Sequence, residues 1–268
     1  MVRRPVVAGT FYAGSKERLR LQVEDLLPRE VKPGPAIGVV VPHAGYLYSG
    51  RVAGAVYARV ELPGTVVIFG PNHTGLGAGA AIMTYGRWET PLGSVPIDAE
   101  LGKAILANGS VLEEDHLGHL REHSIEVQLP FLQYFERPFS FVPICLFSHE
   151  YAACQNVGQA VATAVRQAGK PVLLVASTDM SHYISRDEAS TRDRKAIDAV
   201  LALDPEGLHR VVRREGISMC GFHPTAAMLV AAKALGASSA ELVMYTDSGE
   251  VTKSVEEVVA YAGLIIRC

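Results

Sequence analysis

Three histidines stand just beyond three short apolar runs. Residues 36–41 (AIGVVV) lead into Pro42 and His43, and residues 65–69 (TVVIF) lead into Gly70, Pro71, Asn72 and His73. Residues 171–176 (PVLLVA) lead through Ser177, Thr178, Asp179, Met180 and Ser181 to His182. Imidazole is the commonest side-chain ligand for transition metals and exchanges protons near neutral pH. A lone histidine in a loop is usually a surface or hydrogen-bonded residue. Three of them, each two to six residues past a buried-strand pattern, are a different matter. If the strands are parallel, all three reach one edge of a sheet, and open α/β sheets bind ligands outside the carboxyl ends of their strands.

Two histidines need at least one more ligand, and five residues compete for that place: Asp179, Glu122, Glu126, His123 and Cys220. Cys220 lies in ISMCGFHP (217–224), between two helical stretches, where Gly221 allows close approach of the backbone. The ordinary fate of a free cysteine is that of a small buried hydrophobe. A second cluster, His116, His119 and His123, has the spacing of one helix face. Gly118 interrupts it, so His116 and His119 read as loop residues. Glu122, His123 and Glu126 then point from a first helical turn into the same crevice.

The elements that must position these groups follow from hydrophobic patterning. Further apolar runs lie at 139–144, 242–245 and 258–266. Their continuous rather than alternating character predicts strands covered on both faces. Helical periodicity covers 49–60, 124–135, 151–168, 187–203, 205–214 and 225–235, and Asp204 before Pro205 is a helix start. Strands alternating with helices predict a three-layer α/β/α architecture. The segment 85–97 (YGRWETPLGSVPI) reads as a β-hairpin, which predicts a mixed rather than purely parallel sheet. No linker or internal repeat divides the chain, so residues 1–268 are read as one domain.

Composition bounds the function. The chain has 268 residues, 49% of them apolar, and a net charge of −3, which suits a large core and excludes disorder. It has no basic stripe for nucleic acid, and the patch around Arg210, Arg213 and Arg214 reads as a solvated helix face. No apolar run reaches the length of a membrane span, and the N-terminus lacks a signal-peptide core. Cys145, Cys154, Cys220 and Cys268 show no close pairing, so they read as free thiols in a reducing, cytoplasmic compartment.

Seven segments, in order, resemble the Memo-like family (mediator of cell motility). They are AGTFY (8–12), VPHAGYLYSG (41–50), GPNHTG (70–75), WETPLG (88–93), EHSIEVQLPFLQ (122–133), STDMSHY (177–183) and MCGFHP (219–224). The resemblance runs nearly end to end. It implies a fold similar to the catalytic subunit of class III extradiol ring-cleaving dioxygenases, with a mixed sheet between helices. It further implies that His43 and His73 match the two histidine ligands of those iron enzymes, and that Cys220 replaces their carboxylate. A thiolate is softer and shifts preference toward copper, zinc or a modified iron site. The resemblance also makes His182 an acid/base group near substrate and puts Asp179 in the same pocket. Beside it, Asp179 is read as orienting His182, and His123 as a supporting or substrate contact.

Three functions compete on these grounds. One is iron- or copper-dependent redox chemistry at a 2-His-1-Cys site, where Cys220 in place of the carboxylate argues against ring opening. Another is a non-catalytic module that binds a peptide or phosphopeptide. The last is a zinc hydrolase, since three ligands and a water make a catalytic zinc site. The occupant is a small molecule or peptide, and the reading allows a homo-oligomer.

Overall fold

The computed structural model describes residues 1–147 and 150–268. Its centre is four parallel strands in the spatial order Gly38–Val41, Leu173–Ser177, Thr65–Pro71 and Ser140–Leu146. Apart from Ser140 these strands are buried along their whole length. Period-two alternation splits their side chains between the two faces. Val40, Val67 and Phe69 face one core, while Val39, Val41, Val66 and Ile68 face the other.

The first core is covered by helices Ala99–Asn108, Tyr151–Ala168, Arg186–Leu201, Pro205–Glu215 and Phe222–Ala234. The second is covered by Lys16–Leu26, Tyr46–Tyr57 and Leu129–Tyr134. This is the three-layer α/β/α arrangement, with a nine-stranded mixed sheet as its middle layer.

The sheet is mixed, but not because of the hairpin. Val258–Arg267 runs antiparallel to Gly38–Val41 and to the outer strand Ser239–Asp247, and Ala80–Ile82 runs antiparallel to Ser140–Leu146. The hairpin strands Arg87–Thr90 and Gly93–Pro96 form a separate three-stranded sheet with Val2–Arg3. The N-terminal strand holds them there, with the Arg3 guanidinium 4.2 Å above the buried Trp88 ring.

The helix read at 151–168 is Tyr151–Ala168, ended by Gly169 in the left-handed conformation (φ 61°). Asp204 caps Pro205–Glu215 by accepting from Gly207 N. The segment read as one helix over 124–135 is a short 3-10 turn, Glu126–Gln128, followed by Leu129–Tyr134. Pro130 explains the break, since it has no N–H for a continuous helix and fits a first turn. His116 is an exposed bend residue, in keeping with the loop expected there. His119 is not in a loop but lies in a one-turn helix, Leu117–Leu120, where it is fully buried.

Candidate metal centre

Because the four central strands are parallel, their carboxyl ends share one edge. Gly38–Val41 delivers His43 and Thr65–Pro71 delivers His73, and Leu173–Ser177 lies between them. Thr178 N–H donates to Val41 O (2.8 Å), which extends the strand pairing up to the site. The segment carrying Cys220 comes in from the first core. A Cβ on Gly221 would lie 2.4 Å from Ser177 O, so only glycine permits that approach.

Among the described residues, the ligand atoms of His43, His73 and His123 all lie within 4.8 Å of one another, a group able to hold a metal ion. The His43 ring meets His73 edge-on at 5.1 Å between centroids, and His73 and His123 stack at 4.8 Å. Cys220 Sγ reaches this group at His43 Nε2, 3.2 Å away. His123, one of the five candidates for the further ligand and otherwise read as a substrate contact, thus has a ligand-forming nitrogen in the group.

The two strand-end histidines are supported differently. His43 is buried, and its Nδ1 lies 2.9 Å from Ser177 Oγ. Burial pushes its imidazole well down, helped by the neighbouring His123 and His73, so it is neutral, the form that ligates metals. His73 is more open, and its Nδ1 lies 2.9 Å from Glu122 Oε1. Burial lowers His73, but the Glu122 hydrogen bond and charge outweigh that and leave it above its ordinary value.

Glu122 is itself a hub. It accepts from the backbone N–H groups of His73 (2.6 Å), His123 (2.9 Å) and Ser124 (2.9 Å). Burial would raise its carboxyl, yet His73, His123 and the Ser124 N–H hold it at about 2. Glu126 does not point into the crevice. Its carboxylate pairs with Arg3 and accepts from Val6 N, Val7 N and Tyr12 Oη. Both candidate glutamates are therefore engaged by other groups. Glu122 orients two histidines, and Glu126 anchors the N-terminal strap.

Asp179 and His182 are neighbours at this edge, but they are not joined as the sequence reading has it. Asp179 Oδ1 accepts from His43 N (2.8 Å) and Ala44 N (3.3 Å). Burial pushes its carboxyl up to about 6 against those bonds and the His182 charge. His182 Nδ1 lies 2.9 Å from Ser218 O, and a carbonyl only accepts, so that nitrogen carries the proton. The orienting partner of His182 is Ser218, not Asp179. Asp193, buried below, accepts from Ser181 N, Ser181 Oγ and Tyr245 Oη and fixes the intervening turn. The Cys220 thiol is pushed up by burial and by Asp179. All four cysteines are free.

Sequence reasoning missed Ser177, Ser218 and Gln128. Gln128 had a signal, being one polar amide inside the apolar stretch IEVQLPFL (125–132), where a buried side chain demands partners. His119 is another buried imidazole, pushed down to about 4 by burial and by Arg3. It lies behind Glu122 and is no part of the metal group.

A three-layer α/β/α fold with a histidine cluster on the carboxyl edge of its parallel strands defines a class, an α/β protein with a candidate metal centre. Comparison with known proteins makes this narrower. The family described as Memo-like protein matches residues 3–265, and the chain belongs to that family. It is 45% identical to a MEMO1 family protein of Methanopyrus kandleri, with 100% of this chain and 99% of that protein covered. It is 43% identical to a MEMO1 family protein of Methanothermobacter thermautotrophicus, covering 98% and 100% respectively. Among solved structures, an uncharacterized protein of Escherichia coli K12 shares the fold, with a TM-score of 0.57 and 13% identity. That match covers 84% of this chain and 98% of the other.

Proposed function

We propose that this chain holds one transition metal, iron or copper, at His43, His73 and His123 with Cys220 beside them, and uses it for redox chemistry. The observation that carries this reading is the mutual 4.8 Å grouping of three imidazole nitrogens. The donor set suits the ion. Imidazole serves iron, copper and zinc, and a thiolate biases the site toward softer ions. An ion held there would supply electron transfer and a positive charge beside the Cys220 thiol, whose deprotonation burial opposes.

The chain's own residues do the rest. Glu122 orients the His73 ring at 2.9 Å and faces His123 Nδ1 at 3.4 Å. Asp179 clamps the backbone at His43 and Ala44. His182, with Nδ1–H committed to Ser218 O, exchanges protons at Nε2. The substrate is a small molecule or peptide that reaches the partly open side of His73. Arg3 is committed to Glu126 and to the carbonyls of His119 and Glu122, so it offers no charge to a phosphate-bearing ligand. Four free thiols fit a reducing compartment, and we place the protein in the cytoplasm. Among the described residues no helix is long and apolar enough to cross a membrane.

The same three imidazoles favour one second reading, hydrolysis at zinc, because three histidines and a water form a known catalytic zinc arrangement. The test is elemental analysis of anaerobically purified protein, wild type beside Cys220→Ser. One equivalent of iron or copper, reduced in the variant with the fold intact, supports redox chemistry. Zinc retained in competition with both supports hydrolysis. No metal in wild type overturns both.

A further inference from the structure

We infer that a buried relay from Gln128 through Ser177 is a positioning device that sets the tautomer of His43, so that Nε2 and not Nδ1 presents the lone pair to the site. The inference rests on the reading of His43 as a ligand, but the relay is defined by hydrogen bonds alone.

The argument counts donors and acceptors. Gln128 Nε2 lies 2.9 Å from Pro42 O and 2.9 Å from Ser177 Oγ. Pro42 O is a carbonyl and can only accept, so the amide nitrogen faces this side. Its oxygen then faces Tyr57 Oη, which donates to it at 3.0 Å. Ser177 Oγ lies 2.6 Å from Ser124 O, another carbonyl. The single hydroxyl proton of Ser177 must go there. Toward its other two neighbours, Gln128 Nε2 and His43 Nδ1, Ser177 Oγ is an acceptor. His43 therefore carries its proton on Nδ1, and Nε2 is left bare, facing Cys220 Sγ at 3.2 Å.

Gln128, Ser124 and Ser177 are fully buried, and Tyr57 is as well, so water does not compete for these bonds. Two backbone carbonyls at fixed positions leave the chain one self-consistent arrangement. The elements explain why it is there. Ser177 ends the strand lying between those that deliver His43 and His73, and Gln128 closes the 3-10 turn that Pro130 separates from the following helix. His73 receives its orientation from a carboxylate, whereas His43 receives it from a neutral hydroxyl, so the two ligands differ in basicity by construction.

The test reads the tautomer directly. Long-range proton–nitrogen correlation spectra of the metal-free, full-length protein, with imidazole nitrogens labelled, assign the protonated nitrogen of His43. Wild type is expected to show Nδ1–H alone. Ser177→Ala removes the acceptor and should bring up the Nε2–H form. Gln128→Met, of similar shape, should shift the balance less, because Ser177 still accepts. Titration with zinc alone should show a fall in affinity of about 10–100-fold for Ser177→Ala.

An Nε2–H tautomer in wild type overturns the relay. So does an unchanged tautomer in both variants. If Ser177→Ala does not fold, Gln128→Met and wild type decide by the same resonance. If zinc fails to bind wild type while the tautomer shifts as stated, the metal reading falls and the relay stands.

Discussion

The two ends of the central strands carry polar residues of opposite character. At the amino ends, Asp98 accepts from Lys170 Nζ (2.7 Å), Leu101 N (3.0 Å) and Ser140 Oγ (3.2 Å), and Thr65 Oγ lies 3.4 Å away. Thr65 and Ser140 are the first residues of their strands. Every group in that cluster is answered by another, and the result is a helix cap and an ion pair. At the carboxyl ends, His43, His73 and His123 are each oriented by neighbours, yet their ligand nitrogens converge on one point. The difference teaches where function sits on this sheet. Polar groups that satisfy one another stabilise the fold, and polar groups aimed at a shared space are held ready for something else.

The comparison can be broken most severely at His43. His43→Ala is expected to abolish stoichiometric metal, measured by elemental analysis, and full occupancy in that variant would remove His43 from the site. The next largest effect tests what lies beneath the carboxyl edge. Arg3→Met leaves the buried Glu126 carboxylate without its cation, and breaking such a pair costs about 3–5 kcal/mol. Urea unfolding should show it, and a loss within error would mean that Val6 N, Val7 N and Tyr12 Oη suffice to hold Glu126.

Glu122→Gln is a finer probe. It keeps the shape but removes the charge that orients His73, and metal affinity should fall about 10–100-fold. Isothermal titration of wild type and variant would check this, with equal affinities counting against a role for the charge.

The smallest effect lies at the other edge. Asp98→Ala should cost about 1 kcal/mol at neutral pH through the lost cap, with metal content unchanged. Burial alone would raise the Asp98 carboxyl, but Lys170 and the Leu101 N–H outweigh it and hold it below its ordinary 3.8. A carboxyl depressed in this way stabilises the fold above that ordinary value, and the contribution is lost as pH falls through the folded value. The gap between wild type and variant should therefore close below about pH 4. A gap that persists in acid would assign the loss to packing.

The residues that build the site were legible to different degrees. His43 and His73 stand directly after runs of buried β-branched residues, so strand ends and histidines appear in one pattern. Tyr151–Ala168 shows the same legibility, because its periodicity and its terminal Gly169 are local features. Helices Lys16–Leu26 and Ala99–Asn108 lie outside the expected helical stretches, and the break before Leu129–Tyr134 falls inside one although Pro130 marks it.

What the chain determined by itself is the set of local choices. Apolar runs make buried strands, periodic stretches make helices, Gly221 permits one close approach, and histidines follow strand ends. Tertiary structure alone decided how those pieces meet. It placed Leu173–Ser177 between the strands of His43 and His73, turned Glu126 away from the crevice to Arg3, gave His182 to Ser218, and brought His123 into reach of a shared ligand. The physical reason is that strand order and hydrogen-bond partnership are set by contacts between residues far apart in the chain. Ser177 and His43 are 134 positions apart, and no local pattern specifies which of several polar groups will face a given lone pair.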